Sequence, residues 1–133
     1  MSRENVEVMR RAFEAYNRGD VDAAVAYLAP ECEYHATGAL PGFRGISRGR
    51  EGYKRFVSWL RAEFDDARID VRELVDAGDH VLASLTLRGR GKRSGAETSW
   101  DIWQVWTLQD GKAVRGEGFT NREDALKAAG LEE

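Results

Sequence analysis

Few of the features that would cross-link this chain, carry it through a bilayer or leave it unfolded are present. One cysteine, Cys32, stands in 133 residues, which excludes a disulfide framework or a cysteine-based zinc site within one chain. The chain has only two prolines, no Pro/Gly/Ser-rich linker, no low-complexity tract and no repeat at solenoid spacing, so residues 1–133 read as a single domain. No apolar run approaches the ~18 residues of a membrane span. Met1-Ser2-Arg3-Glu4-Asn5 has no apolar stretch behind it of the secretory kind. The expectation is a cytoplasmic protein that does not engage a membrane. Neither sign of charge dominates: 20 basic against 23 acidic residues leave −3, which argues against nucleic acid as the main partner. Histidine is scarce, two in all. No converging His, Asp and Glu spacing is seen, so neither metal nor other cofactor is expected.

What is present suits a folded domain. Hydrophobic residues make up 42% and charged residues 32%, too apolar for disorder and too charged for a membrane-embedded chain. A domain of this length buries roughly two-thirds of its unfolded surface. The first half reads as helices and the second as strands, a segregation that argues for an α+β fold. Ser2 is placed to cap a first helix, with Val6, Met9, Phe13 and Tyr16 on one face and Gly19 as its stop. Asp20 caps a short second helix that Pro30 ends. Residues 31–36 alternate as a short strand, a Gly- and Arg-rich loop covers 37–48, and Tyr53, Phe56, Val57 and Leu60 mark a third helix over 50–63.

Strands follow: 68–75, then a run in which Val81, Ala83, Leu85 and Leu87 alternate with their neighbours, then, after a basic glycine loop at 89–95, a long strand over 97–108. Asp110-Gly111 is a strong two-residue hairpin signal into strand 113–119. Asn121 caps a last short helix over 122–129, with Gly130 as its stop.

The long strand carries three tryptophans. Period two puts Trp100, Ile102, Gln104, Trp106 and Leu108 on one face and Asp101, Trp103, Val105 and Thr107 on the other. Both faces are largely apolar, so the second needs a cover, and a second subunit is the simplest one; a homodimer is expected. A regular hairpin about Asp110-Gly111 sets Gln104 opposite Glu117 and Trp103 opposite Gly118. A bulge reverses the facing of the last strand.

The order helix, helix, strand, helix and then curved antiparallel strands resembles the nuclear-transport-factor-2-like superfamily, and within it the SnoaL-like, polyketide-cyclase-like family. The residues that carry this are 12–23 (from Ala12-Phe13-Glu14-Ala15-Tyr16 through Gly19-Asp20), Leu28-Ala29-Pro30-Glu31-Cys32-Glu33-Tyr34-His35, Gly49-Arg50-Glu51-Gly52, Val105-Trp106-Thr107-Leu108-Gln109-Asp110-Gly111-Lys112 and the tail from Asn121 to Leu126. The resemblance implies a cone-shaped, strongly curved sheet with three helices from the N-terminal half enclosing an apolar pocket, a short C-terminal helix, and dimers. Relatives include isomerases, epoxide hydrolases, cyclases and non-enzymatic carriers, so fold alone does not assign a reaction. The positions matching the isomerases' tyrosine, base and acid are Ala12, Ala36 (beside His35) and Gln104; those matching the epoxide hydrolases' Arg and two Asp are Leu85, Leu87 and Gly118. The usual catalytic carboxylates are absent from this alignment.

Several residues remain as candidates. His35 is suited to move a proton near neutral pH or to orient a carbonyl, and equally to be a strand-end histidine bonded to backbone or solvent. Gln104 is suited to stabilise an oxyanion, or to be satisfied by Glu117 across the ladder. Glu117 is the best remaining carboxylate for acid–base work, or a sheet-face charge paired to Arg115. The basic cluster of Arg88, Arg90, Lys92 and Arg93 with Arg44, Arg48 and Arg50 is either an anion site or a solvated loop. The expected ligand is small and apolar (polyketide-, terpenoid- or steroid-like), held by His35 and Gln104 within walls from Tyr34, Leu85, Leu87 and Trp106. The alternative is a small acid–base isomerase, cyclase or hydrolase using His35 or Glu117.

Overall fold

A computed structural model describes residues 2–40 and 43–131, with the side chains of these apart from residues 2, 37–40, 43 and 44. The elements are α1 (Ser2–Asn17), α2 (Val21–Val25), β1 (Leu28–Leu40), β2 (Phe43–Arg48), α3 (Gly49–Glu63), β3 (Phe64–Ala77), β4 (His80–Gly91), β5 (Glu97–Gln109), β6 (Lys112–Phe119) and α4 (Arg122–Ala128). The helix ends follow local chemistry. Gly19 takes φ +83°, a conformation that costs glycine little. The Asp20 carboxylate accepts from Ala23 N at 3.0 Å to start α2, and Asn121 accepts from Asp124 N at 2.8 Å to start α4. The Ser2 side chain, expected as a cap, lies outside the described residues.

Six strands form one sheet in the order β2-β1-β6-β5-β4-β3. All pairs are antiparallel except β1 with β6. Residues 37–48 are therefore no simple loop: β2 lies along β1, with Glu33 opposite Arg48, Tyr34 opposite Ser47 and His35 opposite Ile46. Gly45 sits here on the edge strand with φ +92°, a conformation that costs glycine little. The basic stretch likewise stays in the ladder as far as Gly91, opposite Phe64.

The hairpin of β5 and β6 turns at Asp110-Gly111, both with positive φ (51° and 76°), as a tight primed turn requires. Past the turn the register slips between Thr107 and Leu108. Val114 is the extra residue, and beyond it Trp106 faces Gly116 and Gln104 faces Gly118. This corrects the regular register, in which Gln104 faced Glu117. The bulge turns both glycines to the side of Gln104 and Trp106 and sends Glu117 to the other side, opposite Val105.

Helices α1 and α3 cover the inner face. Met9, Phe13 and Tyr16, with Val57 and Leu60, pack on Ile69, Val81, Leu85, Leu87, Ile102 and Trp106. Asn17 ties α1 to β3 by a reciprocal pair, its amide donating to Ile69 O at 2.7 Å and its carbonyl accepting from Ile69 N at 2.9 Å. On the outer face, Leu82 and Val105 are buried with Ala125 and Ala129 at the C-terminal end. The chain's own last helix thus covers this part of the outer face. Trp103, beside it, has the Arg72 guanidinium 5.2 Å from its ring centre, within cation–π range. No helix among the described residues is long and apolar enough to cross a membrane.

Candidate functional site

Strand alternation brings four side chains of the inner face together. Cys32 and Tyr34 project from β1 on the same side, two residues apart, as do Gln104 and Trp106 from β5. They meet at a cavity of about 50 Å³ under α1 and α3, whose walls include Phe13, Cys32, Tyr34, Phe56, Gln104 and Trp106. Trp106 Nε1 donates to Gln104 Oε1 at 2.8 Å. Gln104 Nε2 donates to the Tyr34 hydroxyl at 3.1 Å. The Tyr34 and Trp106 rings lie 5.6 Å apart, tilted by 34°.

The two glycines of β6 make room for this group. A Cβ at Gly116 would come within 2.6 Å of the Trp106 ring, and one at Gly118 within 2.5 Å of the Tyr34 hydroxyl. Real Cβ atoms essentially never approach so closely, so the tyrosine and the tryptophan occupy the space their opposite glycines leave.

The site is neutral. None of the described residues lining the cavity is Asp, Glu, His, Lys or Arg. Burial pushes the Tyr34 phenol up to about 12, opposed in part by its bond from Gln104. Burial raises Tyr53 as well, and with the Glu31 and Glu33 carboxylates it pushes the Cys32 thiol to about 11. At neutral pH all three stay protonated. Such a site can shape an apolar ligand and offer it hydrogen bonds; it holds no charged group to take a proton. No group of three potential metal ligands occurs among the described residues.

The structure brings together Tyr34, Gln104 and Trp106 of the residues expected to form a site. Leu85 and Leu87 share their face, at 0% and 2% exposure, but belong to the closed core rather than the cavity wall. His35 lies on the other face, neighbour to Tyr34 in the strand; its Nε2 is 3.1 Å from Glu33 Oε1, and Arg48 bonds the same carboxylate at 3.2 Å. These two bonds hold Glu33 below the usual carboxylate range. Glu117 is also outside the cavity, 3.5 Å from Arg115. The expected encounter of His35 with Gln104 across one pocket therefore does not occur.

The basic cluster is spread among partners. Arg88 pairs with Asp70, Arg90 with Glu97 at 3.2 Å and Lys92 with Asp65 at 3.8 Å, and Arg50 donates twice to Leu28 O. The Arg44 side chain lies outside the described residues. Sequence reasoning missed Phe13, Ser47, Tyr53 and Phe56 in the wall. The paired glycines Gly116 and Gly118, two residues apart and opposite large side chains, were the usable signal.

The SnoaL-like domain model matches residues 9–116. The chain is 35% identical over 88 residues to the aklanonic acid methyl ester cyclase AcmA of Streptomyces galilaeus, covering 65% of this chain and 58% of that protein. It thus spans less than two-thirds of the length of that cyclase. Among solved structures, an NTF2-like protein of Burkholderia thailandensis superposes with a TM-score of 0.79 at 27% identity, covering 97% of each chain. A candidate SnoaL-like polyketide cyclase from Jannaschia superposes with a TM-score of 0.76 at 20% identity, covering 99% of this chain and 95% of that one. An α+β sheet with this strand order, helices on its inner face and a family match over most of its length make the chain a member of the SnoaL-like family, with the nuclear-transport-factor-2-like fold.

Proposed function

We propose that this chain binds a small apolar molecule of the polyketide, terpenoid or steroid-like kind in the cavity between α1, α3 and the inner sheet face. The observation that carries the reading is the lining: apolar walls with one fixed polar chain, Trp106 to Gln104 to Tyr34, and no ionised group. Small-molecule sites have this composition. The cavity is smaller than the ~150 Å³ that holds a benzene ring. A ring therefore enters as the half-buried Tyr53 and Phe56 of α3 give way.

An enzymatic role as a small isomerase, cyclase or hydrolase is the second reading, favoured by relatives named as cyclases. His35 and Glu117 would serve it only for a substrate on the outer face. Native mass spectrometry of ligands retained by the purified protein tests the first reading. A retained apolar molecule that is released by filling the cavity with Cys32→Phe supports it. A protein that retains nothing, and takes up neither naphthalene nor a hydroxyanthraquinone, contradicts it.

Assembly as a homodimer through the outer sheet face belongs to the same proposal. Ile46, at 48% the one large apolar side chain exposed among the described residues, lies opposite His35 on β2. Light scattering at micromolar concentration should read twice the 14.9 kDa chain mass; a monomer removes it.

A further inference from the structure

The hydrogen bonds of the cavity have a direction, and it is set by the indole. A tryptophan N–H only donates. Bonded at 2.8 Å, it requires the Gln104 carbonyl oxygen on its side and so turns the amide NH₂ toward Tyr34. The NH₂ only donates, so the Tyr34 oxygen must accept, and its own hydrogen is left for whatever enters the cavity. The phenol is buried and held up to about 12, so it carries that hydrogen throughout the neutral range. Chains of hydrogen bonds polarise one another and strengthen the last donor.

Resting on the proposed ligand site, we infer that Tyr34 is the ligand-contacting residue that sets specificity. It selects ligands that present an acceptor oxygen (a ketone, quinone or enolate) over equally apolar ligands that do not. Trp106 and Gln104 are positioning residues that act through it. Gly118 completes the device, because any side chain there would displace the Tyr34 hydroxyl. Bound at such an oxygen, the phenol polarises the carbonyl and stabilises negative charge that develops on it, without itself giving up the proton.

The test compares acetophenone with ethylbenzene, which has a methylene in place of the carbonyl, by calorimetry, and follows the acetophenone C=O stretch by infrared difference spectroscopy. Wild type should bind both and lower the stretching frequency of bound acetophenone relative to its value in an apolar solvent. Tyr34→Phe should weaken acetophenone about fivefold, the worth of one neutral hydrogen bond. It should leave ethylbenzene within about twofold and restore the apolar-solvent frequency. Trp106→Phe frees the amide to turn and take up the Tyr34 hydrogen, so it too should restore the frequency although the hydroxyl remains. If both ligands bind wild type and the frequency is not lowered, the donor assignment is wrong and the apolar site stands. If neither binds up to its solubility limit, the site reading fails and this inference with it. Should Tyr34→Phe not fold, the wild-type frequency decides alone.

Discussion

At the scale of single residues, the account rests on fit between Tyr34 and Gly118. Adding a methyl at 118 meets the Tyr34 oxygen at 2.5 Å, while the next ring atom is already at 3.4 Å, an ordinary contact. Gly118→Ala should therefore destabilise by about 1–3 kcal/mol, the usual cost of overpacking. In a Tyr34→Phe background the same change should cost close to nothing, since the offending atom is gone. Gly116→Ala meets the Trp106 ring instead, and Tyr34→Phe should not relieve it. Urea denaturation of these single and double variants gives the coupling directly. Equal costs for Gly118→Ala in both backgrounds would place the hydroxyl elsewhere. For His35→Ala and Glu117→Gln, ligand binding should stay within about threefold, roughly 0.6 kcal/mol. A larger loss would move the site to the outer face.

At the scale of elements, α4 is the piece whose role the sequence left unseen. It covers Leu82 and Val105 through Ala125 and through Ala129, which caps its C-terminus, each at most 4% exposed. Loss of its cap in Asn121→Ala should cost about 1 kcal/mol. Ala125→Asp, which buries a charge without a partner, should undock the helix and change the fluorescence of neighbouring Trp103; a variant as stable as wild type would show that α4 covers nothing. The helices were legible because Val6, Met9, Phe13 and Tyr16, or Tyr53, Phe56, Val57 and Leu60, repeat at helical spacing, and helical packing is local. The strand faces of β4 and β5 were legible for the same reason at period two. The pairing of β2 with β1 was not, because the Gly- and Arg-rich composition of 37–48 reads as loop, and the bulge at Val114 was not, because it is one extra residue with no composition of its own. That bulge decided the site: it turned Glu117 to the outer face and Gly118 toward the Tyr34 hydroxyl. Gln104 and Trp106 could be placed on one face from period two alone, but their partner Tyr34 lies 70 residues from Gln104.

At the scale of the whole molecule, neutral buried phenols make alkali the direction of weakness. Burial raises Tyr16, Tyr34 and Tyr53. A phenol raised in the folded state binds more protons there than in the unfolded chain, so stability is full below about pH 10 and falls as pH rises through the folded value. For Tyr34, displaced from 10.0 to about 12, the loss across that window is roughly 3 kcal/mol. Urea midpoints should drop steeply from about pH 10 to about pH 12, and less steeply in Tyr34→Phe; a flat profile would mean that the phenol is not buried. The family match fixes the frame, and the interior of the sheet is where this chain's own residues write a site. The most direct measurement is a nitrogen-15 NMR titration of the wild-type protein with acetophenone. The indole N–H of Trp106 and the side-chain NH₂ of Gln104 should shift, while the Trp103 indole and the backbone amides of His35 and Glu117 stay in place. Shifts gathered at His35 and Glu117, with the Trp106 indole unmoved, would contradict the assignment of the inner cavity as the ligand site.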